Sequence, residues 1–199
     1  DKAQVLVELD LERLAFVKDK SILETKDSLY LESLQNLAKQ FSTDVASAEI
    51  NYAIAQVYAD KGNSYKPRVS EESRWMKKKA FDLCELVIKN YPESNGAKNC
   101  AVLKAQISEH DMKLVTDKVT SPDKPSLGLL TYRNLKKVYL RIIQPKKLET
   151  EQGEPTMYGE ELVNYYLKSP AIKEWTLDLL DENDYQTHEL SRPEVAELE

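Results

Sequence analysis

Hydrophobic positions recur at intervals of three and four through the first half of the chain and alternate through much of the second, so two kinds of element are predicted. Over residues 1–18, Leu6, Leu9, Leu14 and Val17 stand among charged neighbours and predict a first helix. Thr25 or Asp27 can cap a second, whose apolar face reads Tyr30, Leu34, Leu37, Ala38 and Phe41. A third helix is expected over 45–61 with Ile50, Ile54, Val57 and Tyr58 inward, and a fourth over 72–90 with Met76, Ala80, Leu83, Cys84 and Val87 inward. A fifth, over 95–109, has Ala97, Cys100, Ala101, Lys104 and Ile107 near its inner face. Its weaker periodicity suits the terminal member of a stack, which must present a polar outer face.

After Met112 the period shortens, and strands are expected over 113–119, 126–132, 137–143, 174–180 and 185–191. Leu127, Leu129 and Thr131 alternate with Leu130 and Tyr132, and Asn134 opens a short turn into Val138, Leu140 and Ile142, which reads as a β-hairpin. Ser121-Pro122-Asp123-Lys124-Pro125 is a turn, 144–157 a polar loop and 158–168 a short helix. Helices followed by strands indicate an α+β chain in two domains, helical over 1–111 and β over 112–199. A sandwich of this general kind needs about seven strands. With fewer, Leu140, Ile142 and Leu177 would be partly uncovered, and a free edge would favour self-association through the β domain.

The helical half also repeats a pattern. Asn51, Ile54, Ala55, Tyr58 and Gly62 form one set, and Ala80, Cys84, Val87 and Pro92 a second, at the spacings of the paired helices of a tetratricopeptide repeat. Small Ala55 and Ala80 would let two helix backbones approach, Tyr58 fills the gap between turns, and Pro92 stops the second helix. Cys84 replaces the usual aromatic, Val87 the usual Ala, and Tyr65 to Met76 are extra. Cys84 and Cys100 each stand eight residues from Pro92, which predicts matching heights on neighbouring helices and packing as two small buried residues.

Composition narrows the function. A net charge of −6 argues against a nucleic-acid partner. No apolar run approaches the roughly 20 residues that cross a bilayer. With five glycines and no Gly-x-Gly or Gly-Lys-Ser/Thr loop, no nucleotide cradle is expected. His110 and His188 have no Cys or carboxylate at zinc spacing and read as solvated, as do the carboxylates Glu160, Glu161, Asp181, Glu182 and Asp184, whose spacing is not that of a calcium loop. No catalytic, metal or cofactor residue is therefore assigned, and the chain reads as a non-enzyme. Two cysteines fit either a reduced or an oxidising compartment. Because the chain begins at Asp1, an upstream segment is expected to have been removed.

Partner-binding candidates remain. Tyr52, Gln56 and Asp60 flank the signature positions of the third helix and would line a concave groove for a protein or peptide. They lack the Lys/Asn/Arg set that clamps a peptide carboxylate, which disfavours capture of a C-terminal tail. Trp75, with Arg74 before it and Lys77 to Lys79 after, is a candidate handle, although packing on Tyr58 or Tyr65 to pin the linker carries more weight.

Helical repeats followed by a strand domain opening with Leu130-Thr131-Tyr132-Arg133-Asn134-Leu135-Lys136-Lys137-Val138-Tyr139-Leu140-Arg141-Ile142 resemble the N-terminal region of the large α2-macroglobulin-like proteins of Bacteroidetes. Ser47-Ala48-Glu49, Gly96-Ala97-Lys98-Asn99-Cys100 and Trp175-Thr176-Leu177-Asp178-Leu179 followed by Asp184-Tyr185 add to the resemblance. It implies a periplasmic or envelope protein, with proteases as partners of a longer parent and the first macroglobulin-type sandwich beginning near residue 113. The thioester run Cys-Gly-Glu-Gln is missing, since Cys84 sits in Leu-Cys-Glu-Leu and Cys100 in Asn-Cys-Ala-Val, so trapping chemistry would lie outside this segment. The alternative is a free-standing adaptor whose helical groove binds a peptide. A glycan-binding reading is weaker, because the aromatic residues are dispersed rather than grouped as a sugar platform.

Overall fold

The computed structural model of the chain describes residues 2–117, 128–144 and 157–192. These hold α1 (Lys2–Lys20), α2 (Lys26–Gln40), α3 (Ser47–Gly62), α4 (Met76–Asn90), α5 (Asn95–Ser108), β1 (Asp111–Thr116), β2 (Gly128–Arg133), β3 (Lys137–Ile143), α6 (Gly159–Lys168), β4 (Ala171–Asp178) and β5 (Thr187–Arg192). The fold is α+β. It gathers into two compact units, one holding the described residues up to Asn134 and from Glu182 onward, the other Leu135–Asp181.

In the first unit α3 is the central element, packed on α1, α2, α4 and α5. One side of it buries Ile50, Ile54 and Val57 against Val7, Leu34 and Leu37. The other buries Ala48, Ala55 and Ala59 against Ala80, Cys84, Val87, Ala97 and Cys100. Each large aliphatic side chain so covered contributes roughly 1.5–3 kcal/mol. The alanines act through their size, because they let backbones come together. Closest of all is Gly96, where a Cβ would lie 2.4 Å from the backbone carbon of Ala48, so the first turn of α5 rests on that of α3. Ser94 caps α5 by accepting from the Ala97 N–H at 3.0 Å. Thr25 is the residue before α2, but its side chain makes no capping hydrogen bond, and Asp27 lies in the first turn.

The inward stripe of α1 differs from expectation. Val7 is buried and Ala3, Leu11 and Leu14 pack beside it, whereas Leu6, Leu9 and Val17 are exposed. Two apolar stripes share this helix at helical spacing, and only contact with α2 and α3 selects between them. In α5, Ala97, Cys100 and Ile107 are buried as expected, while Ala101 is exposed.

The expected hairpin of 126–132 with 137–143 does not form. β2 pairs antiparallel with β1 and with β5, giving the order β1-β2-β5, while β3 pairs with β4 in a separate two-stranded sheet. Asn134 does take a left-handed conformation (φ 56°), but its side-chain amide donates to Ile107 O and Glu109 O at 2.8 and 2.9 Å. That anchors the connection to the end of α5 instead of folding β3 back on β2. β2 buries Gly128, Leu130 and Tyr132 on one face, and every side chain of the edge strand β1 is exposed. The expected turn at 121–125 lies outside the described residues, as does the 144–157 loop apart from its two ends.

In the second unit Val138 faces Leu177 and Leu140 faces Trp175 across the β3–β4 ladder. Leu140, Ile142 and Leu177 are half-buried, in line with the partial cover expected of them. Arg141 donates to Leu167 O at 2.7 Å and Ser169 O at 3.1 Å and pairs with Glu174 at 2.9 Å, which ties the end of α6 to both strands.

Candidate functional site

Both α2 and α4 pack on α3 and leave an open channel between them. Its floor is a single seam of α3, Ser47, Asn51, Ile54 and Tyr58, at the four-three-four spacing that puts residues on one helix face. Gln35, Ala38 and Lys39 of α2, with Ser42 just beyond its end, form one wall, and Lys79, Asp82, Leu83, Leu86 and Asn90 of α4 the other. The main recess has a volume of about 610 Å³ and runs on into one of about 310 Å³ through Ala38, Lys39, Asn51 and Leu86. These volumes fall in the range of ligand-binding clefts. Leu86 is 54 % exposed here, an apolar side chain left in water beside half-buried Leu83 and Tyr58. Gln35 Nε2 donates to the Tyr58 hydroxyl at 3.2 Å and braces the first wall against the floor. Asn51 donates to Ser47 O at 2.8 Å, an i−4 bond within the floor itself. On the other wall Lys78 holds Asp82 through contacts of 2.6 and 2.7 Å.

The sequence-selected residues lie elsewhere. Tyr52, Gln56 and Asp60 run along the opposite side of α3 from this seam. Gln56 Nε2 donates to the Tyr52 hydroxyl at 2.8 Å, and Tyr52 packs against the core that contains Cys84 and Cys100. Burial pushes the Tyr52 phenol up, and the neighbouring Cys100 and Cys84 add to that, while the Gln56 hydrogen bond opposes them. Trp75 is not among these groups. It precedes α4, is 47 % exposed, and has the Arg74 guanidinium 5.3 Å from its ring centroid, so any packing on Tyr58 or Tyr65 leaves about half of it in solvent. Cys84 and Cys100 are both free and buried, and the neighbouring Cys84 thiol together with burial pushes the Cys100 thiol up.

A polar cluster that the sequence did not reveal joins the 63–75 connection to the segment entering β5. Asp184, read from sequence as solvated, is 2 % exposed. Its carboxylate accepts from Arg74 Nε at 2.8 Å and from the Gln186 N–H at 3.0 Å, and lies 2.9 Å from His188 Nε2. Arg74 also meets Glu71 at 3.3 Å and Glu182. Gln186 in turn donates to Gly62 O, Ser73 O and Arg74 O, and Tyr185 stacks on Phe81 with centroids 4.6 Å apart. Burial alone would raise the Asp184 carboxyl, but the hydrogen bonds from Arg74, Gln186 and His188 outweigh it and hold it below its ordinary value. Both carboxylate oxygens of Asp184 are engaged, so the cluster works as a structural clasp. Its weak sequence signal was Asp184 and His188 four residues apart, which gains meaning only once Arg74 is known to be near.

Among the described residues no group of three or more His, Cys, Asp and Glu side chains could hold a metal, and no helix is long and apolar enough to cross a membrane. Compared with protein families, curated proteins and solved structures, the chain finds no match.

Proposed function

We propose that this chain is a non-enzymatic interaction and scaffold region of a large macroglobulin-like envelope protein. In this reading α1–α5 are tetratricopeptide-like repeats, the strands open the first macroglobulin-type β-sandwich, and any protease trapping belongs to the longer parent. The observation that carries the interaction half is the open α2–α3–α4 groove, with Leu86 exposed in it. Close packing at fully buried Ala55 and Ala80 supports the repeat reading. The parent half rests on the order of helices and strands and on the run Leu130 to Ile142, which spans β2 and β3.

Extending the coding sequence past Glu199 tests the parent half. Successive strand domains of about a hundred residues each are the expected result. A stop codon shortly after Glu199 would overturn it in favour of a free-standing adaptor, a reading that the same groove favours. The interaction half is tested by Leu86→Gln, which should weaken peptide binding in the groove without changing the circular dichroism of the helices. Peptide binding that ignores this substitution would count against the groove.

A further inference from the structure

We infer that the α2–α3–α4 groove takes a short acidic segment of a partner protein, an apolar side chain entering between Ile54 and Leu83 while carboxylates on either side meet Lys39 and Lys79. This rests on the reading of the groove as a binding surface and adds the chemistry of its occupant.

Charge carries the argument. The chain has a net charge of −6, and several of its basic side chains are paired, Lys78 with Asp82, Lys104 with Glu85 and Lys18 with Asp27 among them. Lys39 and Lys79 are not, and their place in the groove is what sets them apart. Both are exposed, they stand on opposite walls of the same groove, and neither has an ion pair among the described residues. Asp82, the acidic residue on the rim, is already neutralised by both contacts from Lys78. The rim therefore presents one uncompensated positive charge per wall above an apolar floor, and an occupant of opposite sign satisfies both.

Length limits the occupant. From Ser47 to Tyr58 the floor extends roughly 16 Å at 1.5 Å per residue, which an extended peptide of about five residues spans. A segment of that size can seat an apolar residue at the centre and still place a carboxylate near each wall.

The test uses fluorescence anisotropy on the whole chain with three synthetic peptides that share a central Leu pair flanked by Asp and Glu, by Gln, or by Lys. The acidic peptide should bind about tenfold tighter than the Gln-flanked one. That advantage should disappear in the double variant Lys39→Gln with Lys79→Gln and shrink as salt rises. Both substitutions are at exposed positions, and unchanged circular dichroism would show the fold intact. Equal binding of the acidic and Gln-flanked peptides, lost in Leu86→Gln, would overturn the charge assignment and leave the groove reading standing. Failure of all three peptides, or binding indifferent to Leu86→Gln, would remove the groove reading and this inference with it. A dimer that Leu86→Gln dissociates would assign the groove to a second copy and equally overturn the proposal.

Discussion

Replacing Asp184 by Ala removes the acceptor on which Arg74, Gln186 and His188 converge, and the cost can be worked from the geometry. Taking one partner from a buried ion pair costs about 3–5 kcal/mol when the remaining charge is left uncompensated. Here Arg74 keeps Glu71 and Glu182, and about a fifth of its side chain is exposed, so its share falls toward the roughly 1.5–3 kcal/mol of a charged hydrogen bond. The buried Gln186 N–H, left without its acceptor, adds about 1 kcal/mol or more, partly offset because no carboxylate need then be desolvated. A net loss of about 2–4 kcal/mol is expected, with Asp184→Asn losing less because it still offers an oxygen to that N–H. Urea titration followed by far-ultraviolet circular dichroism reads mainly the first unit, since α1–α5 lie there and only α6 in the second. The folded carboxyl sits below its ordinary value, so its stabilisation is complete above the unfolded pKa of about 3.9 and is lost as pH falls through the folded value. The gap between parent and variant should therefore be full at neutral pH and narrow on acidification below about pH 4. Equal midpoints and slopes at neutral pH, or a gap that persists unchanged into acid, would refute the account of the clasp.

Four further outcomes follow from the packing. Gly96→Ala should destabilise by about 1–3 kcal/mol, because the new methyl meets the Ala48 backbone, which cannot step aside, and this outweighs the gain in helix propensity; thermal unfolding checks it. Ala55→Leu should likewise cost about 1–3 kcal/mol by overpacking a fully buried contact, and a melting temperature equal to the parent's would count against the helix pairing. A thiol assay on unfolded, unreduced protein should find both Cys84 and Cys100 free, and the absence of free thiols would mean that the two are joined in a disulfide. The exposed edge strand β1, with Met112, Leu114 and Val115 in solvent, should make the chain self-associate or exchange its strand amides faster than those of α3; a strict monomer with equal protection by light scattering and hydrogen exchange would rule this out.

Helix positions were legible in the sequence because helical periodicity is local, each turn depending on neighbours three and four residues away. All six expected helices form, with ends within a few residues of the forecast, and the small positions Ala55 and Ala80 and the pair Cys84 and Cys100 fall in the core as read. Strand spans were nearly as legible, since alternation is also local. Strand partners were not. β2 joins β5, more than fifty residues away, and leaves β3, its neighbour in sequence, to β4. Pairing depends on long-range contacts, and here Asn134 holds the end of β2 to α5 while the Asp184–Arg74 pair holds the segment before β5 to the connection before α4. The same limit hid the candidate site. Tyr52, Gln56 and Asp60 could be chosen from one helix, but the groove needs α2 and α4 held apart across α3, and two lysines forty residues apart in sequence face it from opposite walls. Asp184 and His188 read as solvated because burial of a charged group depends on a partner, and Arg74 lies 110 residues away. Periodicity along the chain settled which residues are helical or extended; which of them meet was decided by tertiary contacts, because the free energy of a buried pair depends on both members and the sequence displays them apart.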